Sequence, residues 1–133
     1  MISVLATTVI VATALYFVVL GVVALAAPER ATRFPHAFAS SANAHYVELL
    51  VRLAIGIAFL LRASTLPLPQ VFTLFGWCLV ITTACLFVVP WRWHRRFAER
   101  TVPHAVRHLR LFAVASLLLG SFVLVAALMD IVA

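Results

Sequence analysis

The sequence predicts an all-α integral membrane protein, a bundle of four spanning helices forming one domain over residues 1–133. Hydrophobic residues make up 65% of the chain and charged residues 11%, whereas soluble domains have about 45–50% and about 25%. The chain also contains four long apolar stretches, each close to the roughly 20 residues that cross a bilayer as a helix. Six of its ten arginines lie together in residues 90–110, as is typical of a connection between two spans.

The first predicted span covers residues 2–27, which carry no charge. As a helix this stretch would be about 39 Å long, which is enough to cross the membrane with some tilt. Tyr16 lies near its middle, and its hydroxyl needs a hydrogen-bond partner in hydrocarbon. A basic loop over residues 28–44 is predicted to follow, with Asn43 available to cap the next helix.

The second predicted span, residues 45–66, contains two arginines. Only nine uncharged residues separate Arg52 from Arg62, about 14 Å of helix against a hydrocarbon core of about 30 Å. One of the two must therefore lie within the membrane, and we expect it to be Arg52 because Tyr46 marks a plausible boundary. Glu48 precedes Arg52 by four residues, an order that favours an ion pair on one helix face. An intramembrane pair of this kind is a candidate functional site.

The third and fourth predicted spans cover residues 71–89 and 108–130, and a second basic loop, residues 90–107, joins them. Arg62 and Asp130 fall at the ends of spans away from both basic loops, so we expect them to lie near each other. Small residues four apart, as in Ala54 with Ala58 and Ser116 with Gly120, predict close helix approach.

The distribution of charge predicts which way the protein faces. All five histidines and every arginine except Arg62 lie on the side of the two long loops or at its boundary. Basic loops between spans stay in the cytoplasm, which puts both chain termini outside.

The two halves of the chain can be overlaid. Each half has an apolar helix that ends in Pro-x-Arg, then a basic segment, then an Arg-Leu pair at the next helix (Pro28, Arg30 and Arg52-Leu53; Pro90, Arg92 and Arg110-Leu111). Because both hairpins point the same way, the pattern predicts a parallel repeat. Its clearest part, PWRWHRR with Leu109-Arg110, resembles the small two-helix inner-membrane proteins of unknown function found in proteobacteria. That resemblance implies a multi-pass protein of the bacterial inner (plasma) membrane and no known activity.

The basic loops are the predicted binding surface. A formal charge of +6 would indicate nucleic acid in a soluble protein, but beside apolar spans it indicates topology and attraction to anionic headgroups, so no nucleic-acid partner is predicted. We therefore predict a non-enzymatic accessory subunit that binds membrane lipids or a partner, within a larger membrane complex or a homo-oligomer. The candidate residues are Arg30, Arg33, Trp91, Arg92, Trp93, Arg95, Arg96 and Arg100.

Two other functions are compatible with the sequence. His104 and His108 are four residues apart and His45 opens the second span, so these three could ligate a metal or haem in a redox subunit. Glu48 and Arg52 could instead serve a small oligomeric transporter. No cofactor is predicted for the accessory subunit. Enzymatic chemistry has no support, because there is no nucleophile constellation or phosphate loop and there are only four acidic residues.

Overall fold

The computed structural model describes residues 1–31 and 41–133, and its regular elements there are all α-helical. Helices α1, α2, α3 and α5 are long and apolar enough to cross a membrane, whereas α4 lies outside that set. The prediction of an all-α membrane protein with four candidate spans is therefore confirmed. The helices are α1 Ile2–Ala26, α2 Ala42–Arg62, α3 Pro69–Val88, α4 Trp91–Arg107 and α5 Leu109–Val132.

The spans begin and end within a few residues of the predicted positions. At the start of α2 the capping residue is Ser41 rather than Asn43, because the Ser41 hydroxyl accepts a hydrogen bond from the Ala44 amide at 3.2 Å. This satisfies one of the amides that the first helical turn leaves without a partner. α2 ends at Arg62, before the predicted limit of residue 66, and α3 begins at Pro69, where a missing amide costs nothing.

The prediction of a loop over residues 90–107 was wrong, because most of this segment is helix α4. Clustered arginines, together with Pro90 and Pro103, hid a helical period in the sequence. Helices tolerate proline best in their first turn, yet α4 continues through Pro103. Half-buried positions recur at helical spacing along one side of α4, at Trp91, His94, Ala98, Val102 and Ala105.

All four glycines of the chain lie where two helices cross. A Cβ added to Gly120 of α5 would lie 2.8 Å from the Ala14 carbonyl oxygen of α1. One added to Gly56 of α2 would lie 3.2 Å from the Gly76 carbonyl oxygen of α3. Gly21 of α1 meets α5 in the same way. Without a side chain these positions let the backbones of two spans pack directly.

The two small-residue pairs expected at crossings have different outcomes. Ser116 and Gly120 both face α1, and the Ser116 hydroxyl donates a hydrogen bond to the Phe17 carbonyl at 2.7 Å. In α2, Ala58 is buried but Ala54 is exposed, and the close approach is at Gly56 instead.

The most extensive packing joins α1 with α5 and α2 with α3, and α1 also packs against α2. The first span is thus paired chiefly with the last one, not with its neighbour in sequence. This arrangement does not divide the bundle into two sequential hairpins, and the parallel repeat stays a prediction.

The two ends of the bundle are built differently. We call the end that carries α4 and the start of α2 the basic end, and the end that carries Arg62 and Asp130 the opposite end. Arg62 of α2 forms an ion pair with Asp130 of α5, so the two residues lie together as expected. The larger apolar core lies in the opposite half of the bundle, with Ala6, Ile10, Ala14, Ala58, Phe59, Ala63, Leu66, Phe72, Val123, Ala126 and Ala127.

Candidate functional site

Helices α2, α3 and α4 meet at the basic end. Tyr46 in the first turns of α2 stacks on Phe87 in the last turn of α3, with ring centroids 6.3 Å apart. α4 starts three residues after α3 ends, following Pro90. The chain therefore brings the first turns of α4 next to the start of α2.

Four polar side chains form what we call the histidine cluster: His45, Glu48 and Arg52 on successive turns of α2, and His94 on α4. The His45 ring is 1% exposed and lies against the His94 ring, with centroids 4.7 Å apart. The metal-ligating atoms of His45, Glu48 and His94 all lie within 4.8 Å of one another. Two imidazoles and a carboxylate from two helices thus converge in a half-buried to buried site.

Glu48 connects the members of this cluster. Arg52 Nη1 donates a hydrogen bond to Glu48 Oε1 at 3.3 Å, so the two residues expected to pair do so. The other oxygen, Oε2, lies 3.5 Å from His94 Nε2. Tyr16 of α1 is also close enough to interact electrostatically with Glu48. The Glu48 carboxylate therefore lies between the Arg52 guanidinium and the His94 imidazole.

His45 is the least satisfied member of the cluster. Neither of its ring nitrogens has a hydrogen-bond partner among the described residues. Leaving a buried polar atom unpaired costs roughly 1–3 kcal/mol. The Leu86 carbonyl of α3 lies near this ring but does not form a hydrogen bond with it. His45 is thus a buried ring with two unpaired nitrogens in the described part of the chain.

The structure groups the histidines differently from the sequence prediction. His104 and His108 are exposed near the end of α4, whereas His94 contacts His45. Sequence reasoning missed His94 because it lies among arginines in a segment expected to be a loop. Its spacing to Ala98 and Val102 was the signal, since all three share one face of a helix.

The outer side of α4 carries what we call the arginine face: Arg92, Arg96, Arg100 and Arg107. At 100° per residue these four fall within a sector of about 80°. All four are exposed, and none has an ion-pair partner within residues 1–31 and 41–133. Arg95 differs from them, because its Nε contacts Glu99 Oε1 at 3.0 Å.

The remaining binding candidates take different positions. Trp93 and Phe97 are 65% and 66% exposed and share the side of α4 that adjoins the arginine face, whereas Trp91 is half-buried. Arg30 is exposed in a helical stretch over residues 28–31. Arg33 lies outside the described residues.

An open groove of about 510 Å³ lies between the end of α1 and the junction of α4 with α5. His108 is the one residue between those two helices. Arg107, His108 and Arg110 give the groove a basic side, and Leu25 and Leu109 give it an apolar side. Arg107 belongs both to the groove and to the arginine face, so the two surfaces are continuous.

Comparisons with family models, with curated protein sequences and with solved structures found no match to this chain. Its composition and its four apolar helices define it as a small multi-pass α-helical membrane protein. The candidate functional features of its described residues are the histidine cluster, the arginine face and the adjoining groove.

Proposed function

We propose that this protein is a non-enzymatic accessory component of a bacterial inner membrane that binds anionic phospholipid headgroups at its basic end. One observation carries the proposal, namely the four exposed arginines on one face of α4 without ion-pair partners in the described chain. In this proposal the basic end faces the cytoplasm, as expected for arginine-rich connections between spans.

The form of α4 supports a position at the membrane surface. An interfacial helix needs a basic side for headgroups and an apolar side for the acyl boundary. In α4 the arginine face supplies the first, and Trp93 and Phe97 supply the second. Tryptophan in particular is favoured at the boundary between lipid and water. In this proposal α4 lies along the membrane surface with its half-buried side against the bundle.

Guanidinium chemistry favours a phosphate ligand. Arginine presents a planar fork of N–H donors that matches two phosphate oxygens, and it stays charged in any environment. Each basic residue near an anionic surface contributes about 1 kcal/mol. The groove adds Arg107 and Arg110 beside Leu25 and Leu109, a combination that suits a headgroup together with the first part of its acyl chains.

The test compares lipid retention by two double variants of the full chain, purified in mild detergent. The variant R96Q/R100Q removes two charges from the arginine face. We expect it to bind phosphatidylglycerol roughly 10–30-fold more weakly, since two contributions of about 1 kcal/mol are lost. Native mass spectrometry with added phosphatidylglycerol or phosphatidylcholine measures the bound lipid.

The matched control is R95Q/E99Q, which removes the paired residues on the same helix and leaves the net charge unchanged. It should bind phosphatidylglycerol like the unmodified chain. Equal retention by R96Q/R100Q and the unmodified chain, or no preference for phosphatidylglycerol over phosphatidylcholine, would exclude the lipid as ligand and leave an acidic protein partner for this surface.

A further inference from the structure

We propose that His45, Glu48 and His94 form a binding site for one divalent first-row transition-metal ion, with Zn²⁺ as the reference ligand. The proposal does not depend on lipid binding, because it rests on different residues. Its basis is the convergence of two imidazoles and a carboxylate within 4.8 Å of one another. Two of the ligands come from α2 and the third from α4.

The donor geometry is already near that of a bound ion. Zinc bonds to nitrogen and oxygen are about 2.0–2.2 Å long, so neighbouring donors in a tetrahedral site lie about 3.4 Å apart. Glu48 Oε2 and His94 Nε2 are 3.5 Å apart. The largest separation in the cluster, 4.8 Å, requires an adjustment of about 1.4 Å to reach that value. Rotation of the side chains, together with a small shift of α4, which makes few contacts with the other helices, can supply this adjustment.

The buried His45 ring supplies a second, independent observation. It is 1% exposed, and both of its nitrogens lack hydrogen-bond partners in the described residues. A metal bond would satisfy one nitrogen, and the other could donate to the nearby Leu86 carbonyl. Metal-ligating histidines usually make such a bond to a carbonyl or carboxylate, which fixes the ring orientation. The site therefore explains why a buried histidine without partners is placed here.

Arg52 is a positioning residue in this arrangement. It holds Glu48 Oε1 at 3.3 Å and leaves Oε2 directed toward His94. Ligating carboxylates are commonly held in this way by an outer hydrogen bond. The positive charge of the guanidinium also weakens the attraction of the site for a cation. We therefore expect affinity in the micromolar range rather than the subnanomolar range.

The donor set selects the kind of ligand. Imidazole with carboxylate suits Zn²⁺ and its neighbours in the first transition row, whereas Mg²⁺ and Ca²⁺ prefer oxygen ligands only. A haem held by these two histidines would need the porphyrin between their rings. The rings are in direct contact, with centroids 4.7 Å apart, so a single ion fits the space and a macrocycle does not.

The experiment measures Zn²⁺ binding to the full chain in detergent, purified without a polyhistidine tag and treated with chelator. We expect about one Zn²⁺ per chain by competition with a fluorescent chelator, and no effect of Mg²⁺. Removing an outer-shell partner typically lowers metal affinity 10–100-fold, so His94→Ala, which removes a ligand, should lower it at least about 100-fold. Replacing Zn²⁺ by Co²⁺ should give visible absorption bands that His94→Ala abolishes.

The control is His104→Ala, on the same helix but exposed and outside the cluster. It should bind Zn²⁺ like the unmodified chain. Glu48→Gln, which keeps the side-chain shape, is the second test and should weaken binding even if His94→Ala alters α4. Undiminished binding by both cluster variants, or loss of binding in His104→Ala alone, would overturn the site and assign any bound zinc to the exposed pair His104 and His108.

Discussion

The opposite end and the basic end of this bundle differ in how their polar side chains are paired. At the opposite end, Arg62 and Asp130 neutralise each other between α2 and α5, and the Asp130 side chain is only 6% exposed. At the basic end, four arginines of α4 have no ion-pair partner in the described chain, and His45 is buried with both nitrogens unpaired. The first end pairs its two charges with each other, although the buried Arg62 Nε has no hydrogen-bond partner among the described residues. The second end leaves four exposed guanidinium groups and both His45 nitrogens unpaired.

Apolar packing follows the same division. At the opposite end the rings of Phe59, Phe72 and Phe122 stack in sequence across α2, α3 and α5, with centroids 5.7 and 5.6 Å apart. Among residues 1–31 and 41–133, the corresponding apolar cluster at the basic end has Ala24, Ala31 and Ala113 as its buried members. Since large side chains make the most van der Waals contacts when they pack between spans, the more extensive apolar packing lies away from the candidate sites.

The largest expected effect tests the ion pair at the opposite end. Asp130→Asn leaves the Arg62 guanidinium, whose side chain is 20% exposed, without its counter-charge. Removing one partner of a buried pair costs about 3–5 kcal/mol, and partial exposure of Arg62 puts the expected loss at about 3 kcal/mol. Unfolding of the purified protein in mixed micelles with increasing denaturing detergent measures it.

Two further variants serve as controls for the stability loss of Asp130→Asn. The double variant R62L/D130L should recover most of the stability, because a buried pair replaced by apolar residues is often neutral. Arg95→Gln, at the exposed pair of the basic end, should cost less than about 0.5 kcal/mol. If Arg95→Gln destabilised the protein as much as Asp130→Asn, the contrast between the two ends would be lost.

A smaller loss of stability is expected from alanine substitutions at two helix crossings, Gly120 between α5 and α1 and Gly56 between α2 and α3. An alanine Cβ at Gly120 would lie 2.8 Å from two backbone atoms of α1, the Ala14 oxygen and the Val18 nitrogen. At Gly56 the atom at 2.8 Å is Cγ2 of the Val80 side chain, and the nearest backbone atoms, the Gly76 oxygen and the Val80 nitrogen, are farther away at 3.2 and 3.3 Å. Overpacking costs about 1–3 kcal/mol, and alanine regains up to about 1 kcal/mol of helix propensity. Gly120→Ala should therefore destabilise by about 1–2 kcal/mol, and Gly56→Ala should cost less, under about 1 kcal/mol.

The same detergent titration measures both glycine variants. Equal costs at the two positions would show that the backbone contact of α1 with α5 is no tighter than the contact of α2 with α3.

The smallest expected effect is a gain in stability, whereas the variants above lose stability. His45→Leu removes two buried unpaired nitrogens and keeps a similar volume, so it should stabilise the metal-free protein by about 1 kcal/mol. It should also abolish Zn²⁺ binding, because a ligand is lost. Tyr46→Leu, one residue along, removes the aromatic stack on Phe87 and is the control, since it should not stabilise the protein. A loss of stability in His45→Leu would indicate that the ring serves packing rather than ligand binding.

Sequence reasoning reached some parts of the sites and missed others for definable reasons. The Glu48–Arg52 pair was predictable because both residues lie on one helix with fixed spacing. The contact of Arg62 with Asp130 followed from span lengths, since both residues lie near the C-terminal ends of two spans that run in the same direction. His94 was missed because α4 was taken for a loop, and without helical phase nothing indicated which of its residues faced the bundle.

The sequence by itself determined that this is a helical membrane protein with four spans. The length of each apolar segment and the positions of the charges are local properties, and they determine which segments cross a bilayer as helices. Only the tertiary structure decided that α1 pairs with α5, that α4 is a helix lying against the basic end, and that His45 meets His94. These facts depend on which faces of separate helices come together. Side chains distant in sequence acquire a common site only when packing fixes the rotation of each helix, and hydropathy does not encode that rotation.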